Sequence, residues 1–419
     1  MSSTITELQC IDCGRSIEVA RGAVPLEQWM TCPDCPAGEG ILDIQYDLDA
    51  VRWAWTKNPL SERPPVHWRY QELLPLSADK IPSHWHVGWT PVVDATRLAK
   101  ELGVRALYLK DEGRNPSASF KDRASSVGVA HALQLDAQTV ACASTGNAAT
   151  SLACHAALAG LPAKIFVPHT TPEPKLAQML VYGATVFAVE GSYDEAYRLC
   201  SAACAHFGWY NRNCAINPVL VEGKKTGGLE IAEQSASFGG VPDWVAVSIG
   251  DGCTIAGIWK GLIEMHKLGV IDSLPRLLGV QAAGVAPIAF AMQHDALPAP
   301  GNETTIADSI DVPVPRNWRK AVRALRESNG VVVCVTDDQL VDAIRLAGRH
   351  GMFVEPAAAA ALAGVRAAVD SKNIGHDDRV LALMTGSGLK DIRSSIRAGG
   401  APIHIEPTLE AVTSNLARS

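Results

Sequence analysis

The sequence predicts an α/β protein: a parallel sheet covered by helices, preceded by a small cysteine-bearing ribbon. Three observations carry this. From about residue 121 to residue 384, strand-like and helix-like segments alternate, the pattern of parallel strands joined by helical crossovers. Near the N-terminus two Cys-x-x-Cys knuckles stand 18 residues apart. The chain has 419 residues, 47% apolar and 19% charged, enough for two or three domains around a large buried core.

Composition also excludes partners. A net charge of −7 with no basic run argues against a nucleic-acid footprint. No apolar run approaches the roughly 18 residues of a membrane-spanning helix. Met1-Ser-Ser-Thr-Ile-Thr-Glu7 lacks a basic start followed by an apolar stretch. A cytoplasmic location is expected, where the 11 cysteines stay reduced or bind metal.

Taken in order, residues 1–50 form the ribbon. Cys10, Cys13, Cys32 and Cys35 have the spacing of a four-thiolate structural zinc site, the alternative being four reduced thiols. Gly14 suits the tight turn after the first knuckle. A closed site of this kind leaves no open coordination position, so no catalytic role is expected of the metal. Residues 51–85 are a Trp- and Pro-rich connector suited to wrapping over a surface or crossing a subunit contact. Val87–Val93 follows, and then a strand at Ala106–Lys110.

Helices are expected at Ala124–Leu135, Ala148–Ala159, Pro174–Tyr182, Ser192–Phe207 and from about Ile255. Strands are expected at Thr139–Ala143, Ala163–Val167, Ala184–Val189, Trp244–Ile249, Arg276–Gln281, Gly330–Val335 and Val380–Met384. Ala357–Ala368 reads as a tightly packed alanine-rich helix. Cys142, Cys154, Cys200, Cys204 and Cys334 lie in apolar segments and read as small core residues. His155 and His206 read as packing residues.

The chemistry centres on Asn115-Pro-Ser-Ala-Ser-Phe-Lys-Asp-Arg123. A lysine beside an apolar residue loses hydration, which disfavours the ammonium and exposes a nucleophilic amine. Lys121 is therefore the candidate nucleophile, although this stretch alone reads more readily as a surface lysine at a helix start; the segments downstream reverse that preference. Ser144-Thr-Gly-Asn-Ala148 lies between a strand end and a helix start, where backbone amides face an anion; a simple helix cap is the alternative. Gly250-Asp-Gly-Cys-Thr254 has the strand–glycine turn–helix order of a phosphate cradle, or of an ordinary turn. Asp251 would repel a phosphate it faced, so it is expected to point away or meet a cation.

Together with His350-Gly-Met-Phe-Val-Glu-Pro-Ala357 and Met384-Thr-Gly-Ser-Gly-Leu-Lys-Asp391, these segments resemble threonine synthase and its relatives, the fold-type II pyridoxal 5′-phosphate (PLP) enzymes. Their order and spacing agree over nearly the whole chain. The resemblance implies a tryptophan synthase β-like fold with two parallel-sheet α/β domains. The large PLP-binding domain would comprise residues 51–124 and 208–419, and a small mobile one residues 125–207. It implies that Lys121 holds the cofactor covalently and then moves protons. Asn147 would bond the ring hydroxyl of PLP, and Ser144, Thr145, Gly146 and Asn147 the substrate carboxylate. Gly250, Asp251, Gly252, Cys253 and Thr254 would hold the cofactor phosphate, and Thr385 would face the pyridine nitrogen. Glu355 would lie near the site, or serve as a helix cap. A small amino-acid substrate and a homodimer are implied as well, and only about 30 residues follow Asp391, too few for a regulatory domain.

The sequence departs from the family at one place. Many threonine synthases carry Asn-Ser-x-Asn-Pro-x-Arg, part of which grips the substrate phosphate. Here Cys214-Ala-Ile-Asn-Pro-Val-Leu220 keeps Asn217-Pro218 but has Cys214, Ala215 and Leu220 instead of the Asn, Ser and Arg. Ala148 also replaces the usual threonine after the loop asparagine. Leucine cannot replace a guanidinium as a dianion partner. Lys175, Lys224, Lys225 and Arg123 are the candidates to grip a phosphate instead. The expected reaction is a threonine synthase-like elimination and replacement on O-phosphohomoserine. The alternative is an ammonia-lyase acting on threonine, serine or a diamino acid; a non-catalytic amino-acid sensor is opposed by the intact Lys121, Asn147 and Thr385.

Overall fold

The structure, a computed structural model, describes residues 4–19, 30–36, 39–78, 81–169, 171, 173–214, 216–301 and 303–416. The ribbon is a three-stranded antiparallel sheet of β1 (Ile5–Cys10), β2 (Ser16–Glu18) and β3 (Leu42–Tyr46), in the order β2-β1-β3. Its inward residues Leu8, Leu42 and Ile44 are fully buried and share a core with Trp68, Leu74 and Trp85 of the connector. The connector thus wraps inward, held by the Trp68 indole N–H donating to the Trp85 carbonyl at 2.9 Å. It also contains a helix, Leu48–Lys57, that the composition did not suggest; Asp47 caps it by accepting from the Ala50 amide.

Two further sheets make the body. The larger comprises β4 (Val92–Asp94), β5 (Ala106–Asp111), β10 (Trp244–Ser248), β11 (Arg276–Ala282), β12 (Val331–Val335) and β13 (Arg379–Met384), in the order β12-β11-β10-β13-β5-β4. All its pairings are parallel except β4 with β5. The smaller comprises β6 (Val140–Ala143), β7 (Ala163–Pro168), β8 (Thr185–Val189) and β9 (Tyr210–Asn211), in the order β8-β7-β6-β9, all parallel. Its edge strand β9 lies beyond residue 207, where the small domain was expected to end.

The helices fall close to expectation. Lys121–Gln134 begins three residues earlier than expected, so Lys121 opens it. Pro356–Asp370 packs its alanines into the core. Cysteines 142, 154, 200 and 204 are buried. Cys334 is exposed instead, because β12 is the edge of the large sheet and its side chain alternates outward. None of the described helices is long and apolar enough to cross a membrane.

Candidate active site

Parallel strands deliver their C-terminal ends to one side of a sheet, and ligands bind there. β5 leads into residues 112–121, β10 into the glycine loop, β13 into Thr385, and β6 of the smaller sheet into Ser144–Gly146. Backbone hydrogen bonds stitch these segments together. The Phe120 amide donates to the Thr385 carbonyl at 2.8 Å, Ser387 to Ala118 at 3.1 Å and Glu355 to Gly386 at 3.2 Å. Gly386 lets the Glu355 carboxylate sit where it does, since a Cβ there would lie 2.3 Å from one of its oxygens and displace it. Ala118 adopts φ +63°, a strained conformation for a residue with a side chain.

Lys121 is partly buried, and its amine takes no hydrogen bond among the described residues. Burial, reinforced by the Lys224 charge, pushes its pKa down to about 8. The hydroxyls of Ser117 and Ser119 beside it are buried without partners. The Thr385 side chain is also buried and unpartnered among the described residues.

Gly146 and Asn147 open the helix Asn147–Ala159 and line a cleft with Thr150, Ser309, Glu355 and Lys390. The Asn147 amide donates to both Glu355 carboxylate oxygens, at 2.8 and 3.0 Å. Ser144 turns its hydroxyl back to accept from the Gly146 amide at 3.2 Å, while Thr145 stands between them. Glu355 does not cap its helix with its side chain; it reaches the cleft. Lys390 donates to Thr150 and to Gln178. Ser309, Lys390 and Arg212 were not anticipated as site residues. Lys390 had a signal in its Gly-Ser-Gly-Leu-Lys-Asp motif; Ser309, in the single 3-10 turn Asp308–Ile310, had none.

The glycine loop turns at Gly252, φ +94°, into the helix Cys253–Lys267. Asp251 is directed away into the loop's own framework. Its carboxylate accepts from the Arg316 amide at 2.8 Å, the Asn317 side chain at 2.9 Å and the Cys253 thiol at 3.0 Å. The amides of Cys253 and Thr254 remain at the positive end of a 15-residue helix. A partly buried amine, a hydroxyl unpartnered among the described residues and a helix N-terminus after a glycine turn make a donor set that fits PLP.

The expected phosphate-gripping cations divide clearly. Arg123 is fully buried and clamped between Glu112 and Glu230, with contacts of 2.6–2.8 Å. Lys225 pairs with Glu222 at 2.6 Å and Glu264 at 2.9 Å. Neither can turn to a ligand. The Lys175 side chain and Ala215 lie outside the described residues. Lys224 donates to the Cys214 sulfur at 3.2 Å, and Arg212 reaches the same sulfur at 3.6 Å. A hydrogen bond from Cys253, together with the Lys224 and Arg212 charges, holds the Cys214 thiol well below its ordinary pKa. Leu220 packs against Gly128.

In the ribbon, Cys10 and Cys35 sulfurs are 3.7 Å apart, as are those of Cys13 and Cys32, and all four lie within 4.8 Å of one another. Zn–S bonds of about 2.3 Å place tetrahedral sulfurs about 3.8 Å apart, so this set fits zinc. A Cβ at Gly40 would meet the Cβ atoms of Cys35 and Cys32 at 2.7 and 2.9 Å, which keeps that turn glycine.

Comparison with known proteins agrees with this geometry. Residues 85–386 match the family model described as pyridoxal-phosphate dependent enzyme. A threonine synthase of Methanosarcina acetivorans is 39% identical, covering 97% of both chains. One of Methanocaldococcus jannaschii is 38% identical over 95% of this chain and 96% of its own. Among solved structures, threonine deaminase isoform 2 of Solanum lycopersicum is 22% identical, with a TM-score of 0.63, covering 74% of this chain and 88% of its own. Diaminopropionate ammonia lyase of Escherichia coli is 19% identical, with a TM-score of 0.64, covering 74% and 86%. At such identities these two share the fold alone. The chain belongs to the pyridoxal-phosphate-dependent enzyme family, in its threonine synthase-like branch.

Proposed function

We propose that this protein is a PLP-dependent carbon–oxygen lyase that converts O-phosphohomoserine to threonine and phosphate. The observation that carries the reading is the partly buried Lys121 amine, without a hydrogen-bond partner among the described residues, at the meeting point of the strand ends. It is supported by threonine synthases matching almost end to end. Bound PLP supplies an electron sink for a carbanion next to the amino group.

Lys121 holds the cofactor and moves protons at the substrate carbons; with a pKa near 8 it can both accept and return one. Ser144, Thr145, Gly146 and Asn147 would form the turn that receives the substrate carboxylate, with donors from Thr145 and from the helix start at Asn147, while the Gly146 amide is held by the Ser144 hydroxyl. Asn147, oriented by Glu355, is within the same cleft to bond the ring hydroxyl. Gly250 to Thr254 hold the phosphate of the cofactor through backbone amides. Thr385 would offer a neutral hydroxyl to the cofactor's ring nitrogen, a partner that, unlike a carboxylate, suits elimination and replacement rather than transamination. The residue 125–207 segment with β9 would act as the small, mobile domain. Cys10, Cys13, Cys32 and Cys35 would hold one structural zinc, and the working unit would be a cytoplasmic homodimer.

A second reading, an ammonia-lyase on a non-phosphorylated amino acid, is favoured by Leu220, which offers no charge where relatives have arginine. Purified holoenzyme given O-phosphohomoserine or threonine separates the two. Phosphate and threonine formation supports the first reading; a 2-oxo acid and ammonia without phosphate release overturns it.

A further inference from the structure

Burying a cation without a counter-ion costs several kcal/mol, and this fold avoids doing so nearly everywhere. Among the described residues, the buried cations Arg63, Arg69, Lys110, Arg123, Lys225 and Lys320 each lie within 4 Å of a carboxylate. Arg212 and Lys224 are the exceptions; each is 2% exposed and has no carboxylate partner among the described residues. They sit together. The Arg212 guanidinium donates to the Ser125 hydroxyl at 2.9 and 3.1 Å and to the Cys214 sulfur, and Lys224 donates to that sulfur from the helix Val219–Gln234. Cys214 in turn adjoins Cys253, the first residue of the glycine-loop helix, whose thiol lies 3.9 Å from the Cys214 carbonyl.

We infer that Arg212 and Lys224 form an anion pocket between Lys121 and the glycine loop, and that it takes the phosphate monoester of the substrate. The inference rests on the O-phosphohomoserine reading and names the residues that hold its leaving group. The pocket replaces the guanidinium lost at Leu220 with two cations supplied from different elements: Arg212 just after β9, and Lys224 on the helix Val219–Gln234. A phosphate dianion would balance both charges, which a single thiolate cannot. The cofactor phosphate has its own donors at the start of helix Cys253–Lys267, which is why the substrate is assigned as the source. Both cations act on Lys121 electrostatically and disfavour its ammonium form, so occupation of the pocket would also adjust the proton-moving group.

The test uses PLP-loaded holoenzyme and inorganic phosphate as the probe, measured by calorimetry and as inhibition of turnover. Lys224→Met and Arg212→Met remove one charge each, and Lys224→Arg retains it. Each methionine variant is expected to weaken phosphate binding and raise the KM for O-phosphohomoserine about 10- to 100-fold, the worth of a charge-assisted hydrogen bond. Lys224→Arg should stay close to wild type, and PLP affinity, followed by the visible absorbance of the bound cofactor, should hold in all three. Each methionine also removes a buried contact with the Cys214 sulfur, so the discriminating thermal readout is the response to phosphate: it should raise the melting temperature of wild type and of Lys224→Arg, and raise that of each methionine variant less. An equal rise in all the proteins would mark a merely structural role and overturn the inference. So would unchanged phosphate binding, or a loss of PLP affinity with phosphate binding intact, which would assign the cations to the cofactor. Holoenzyme that binds phosphate through these residues but never converts O-phosphohomoserine keeps the pocket and overturns the functional reading. Conversion with a KM unmoved by the variants does the reverse.

Discussion

The Asn317 side-chain amide donates to the Asp251 carboxylate at 2.9 Å, and this bond turns the one acidic residue of the glycine loop into the loop's own framework. With the Arg316 amide on its other oxygen, Asp251 acts as a brace for the loop. Asp251→Ala should therefore weaken PLP binding, by about tenfold for one lost brace, as measured by equilibrium titration. Tighter binding would mean that the carboxylate faces the phosphate.

The same brace connects the cofactor site to the ribbon. Asn317 precedes the helix Trp318–Glu327, whose Arg319 pairs with Asp12 inside the first cysteine knuckle at 3.1 Å. On that helix Lys320 donates to the Leu42 carbonyl and to Asp43. Metal analysis should find about one zinc per chain. Its loss in a Cys10→Ser, Cys32→Ser double variant should lower PLP affinity as well as stability. Full cofactor affinity in a zinc-free, folded protein would show the two sites to be independent.

Glu230 anchors the start of the lysine helix by accepting from both Arg123 and the Trp89 amide. Burial works against its carboxylate, but Arg123 and Lys110 outweigh burial and hold the pKa at about 2. A carboxylate depressed in the folded state contributes stability above its unfolded pKa and loses it as pH falls through the folded value. That contribution should fade between about pH 4.5 and pH 2. Glu230→Ala leaves Arg123 short of a counter-ion and should cost about 3–5 kcal/mol in denaturant unfolding. A loss below 1 kcal/mol would contradict the role given to this network.

Lys121 gives a slope of the same sign in a higher pH window, because its folded pKa is also depressed, here by burial of the ammonium. Its folded pKa of about 8 lies below the 10.5 of an ordinary lysine, so the unfolded chain binds more protons between those values. Stability of the cofactor-free protein should rise with pH across that window, and the amine should load PLP faster as pH passes about 8. Lys224→Met, which removes a neighbouring positive charge, should move that midpoint upward. A midpoint left unchanged would contradict the electrostatic coupling.

Much of this was legible from residue order. The alternation of apolar runs and helices is a local property, and the eight strands expected between Ala106 and Met384 fall within a residue or two of expectation, while the two-residue β9 was missed. The cysteine knuckles were equally clear, because four thiolates at that spacing have one common geometric solution. What depended on distant pairing was not legible. Cys334 reads as core until the sheet order puts β12 at an edge. Arg123 and Lys225 resemble phosphate ligands until Glu230 and Glu264 are found against them. Arg212 carried no signal at all, since its significance lies in the carboxylate it lacks. Glu355 was left between a cap and a site residue, and only its approach to Asn147 across the cleft decides the matter.

The central claim is that one amine, that of Lys121, holds the cofactor. Borohydride reduction of the loaded enzyme, followed by peptide mass analysis, tests it most directly. The account predicts a phosphopyridoxyl label on Lys121 in the wild type, with neither label nor turnover in Lys121→Ala. A label on another lysine, or undiminished labelling and activity in the variant, would contradict it.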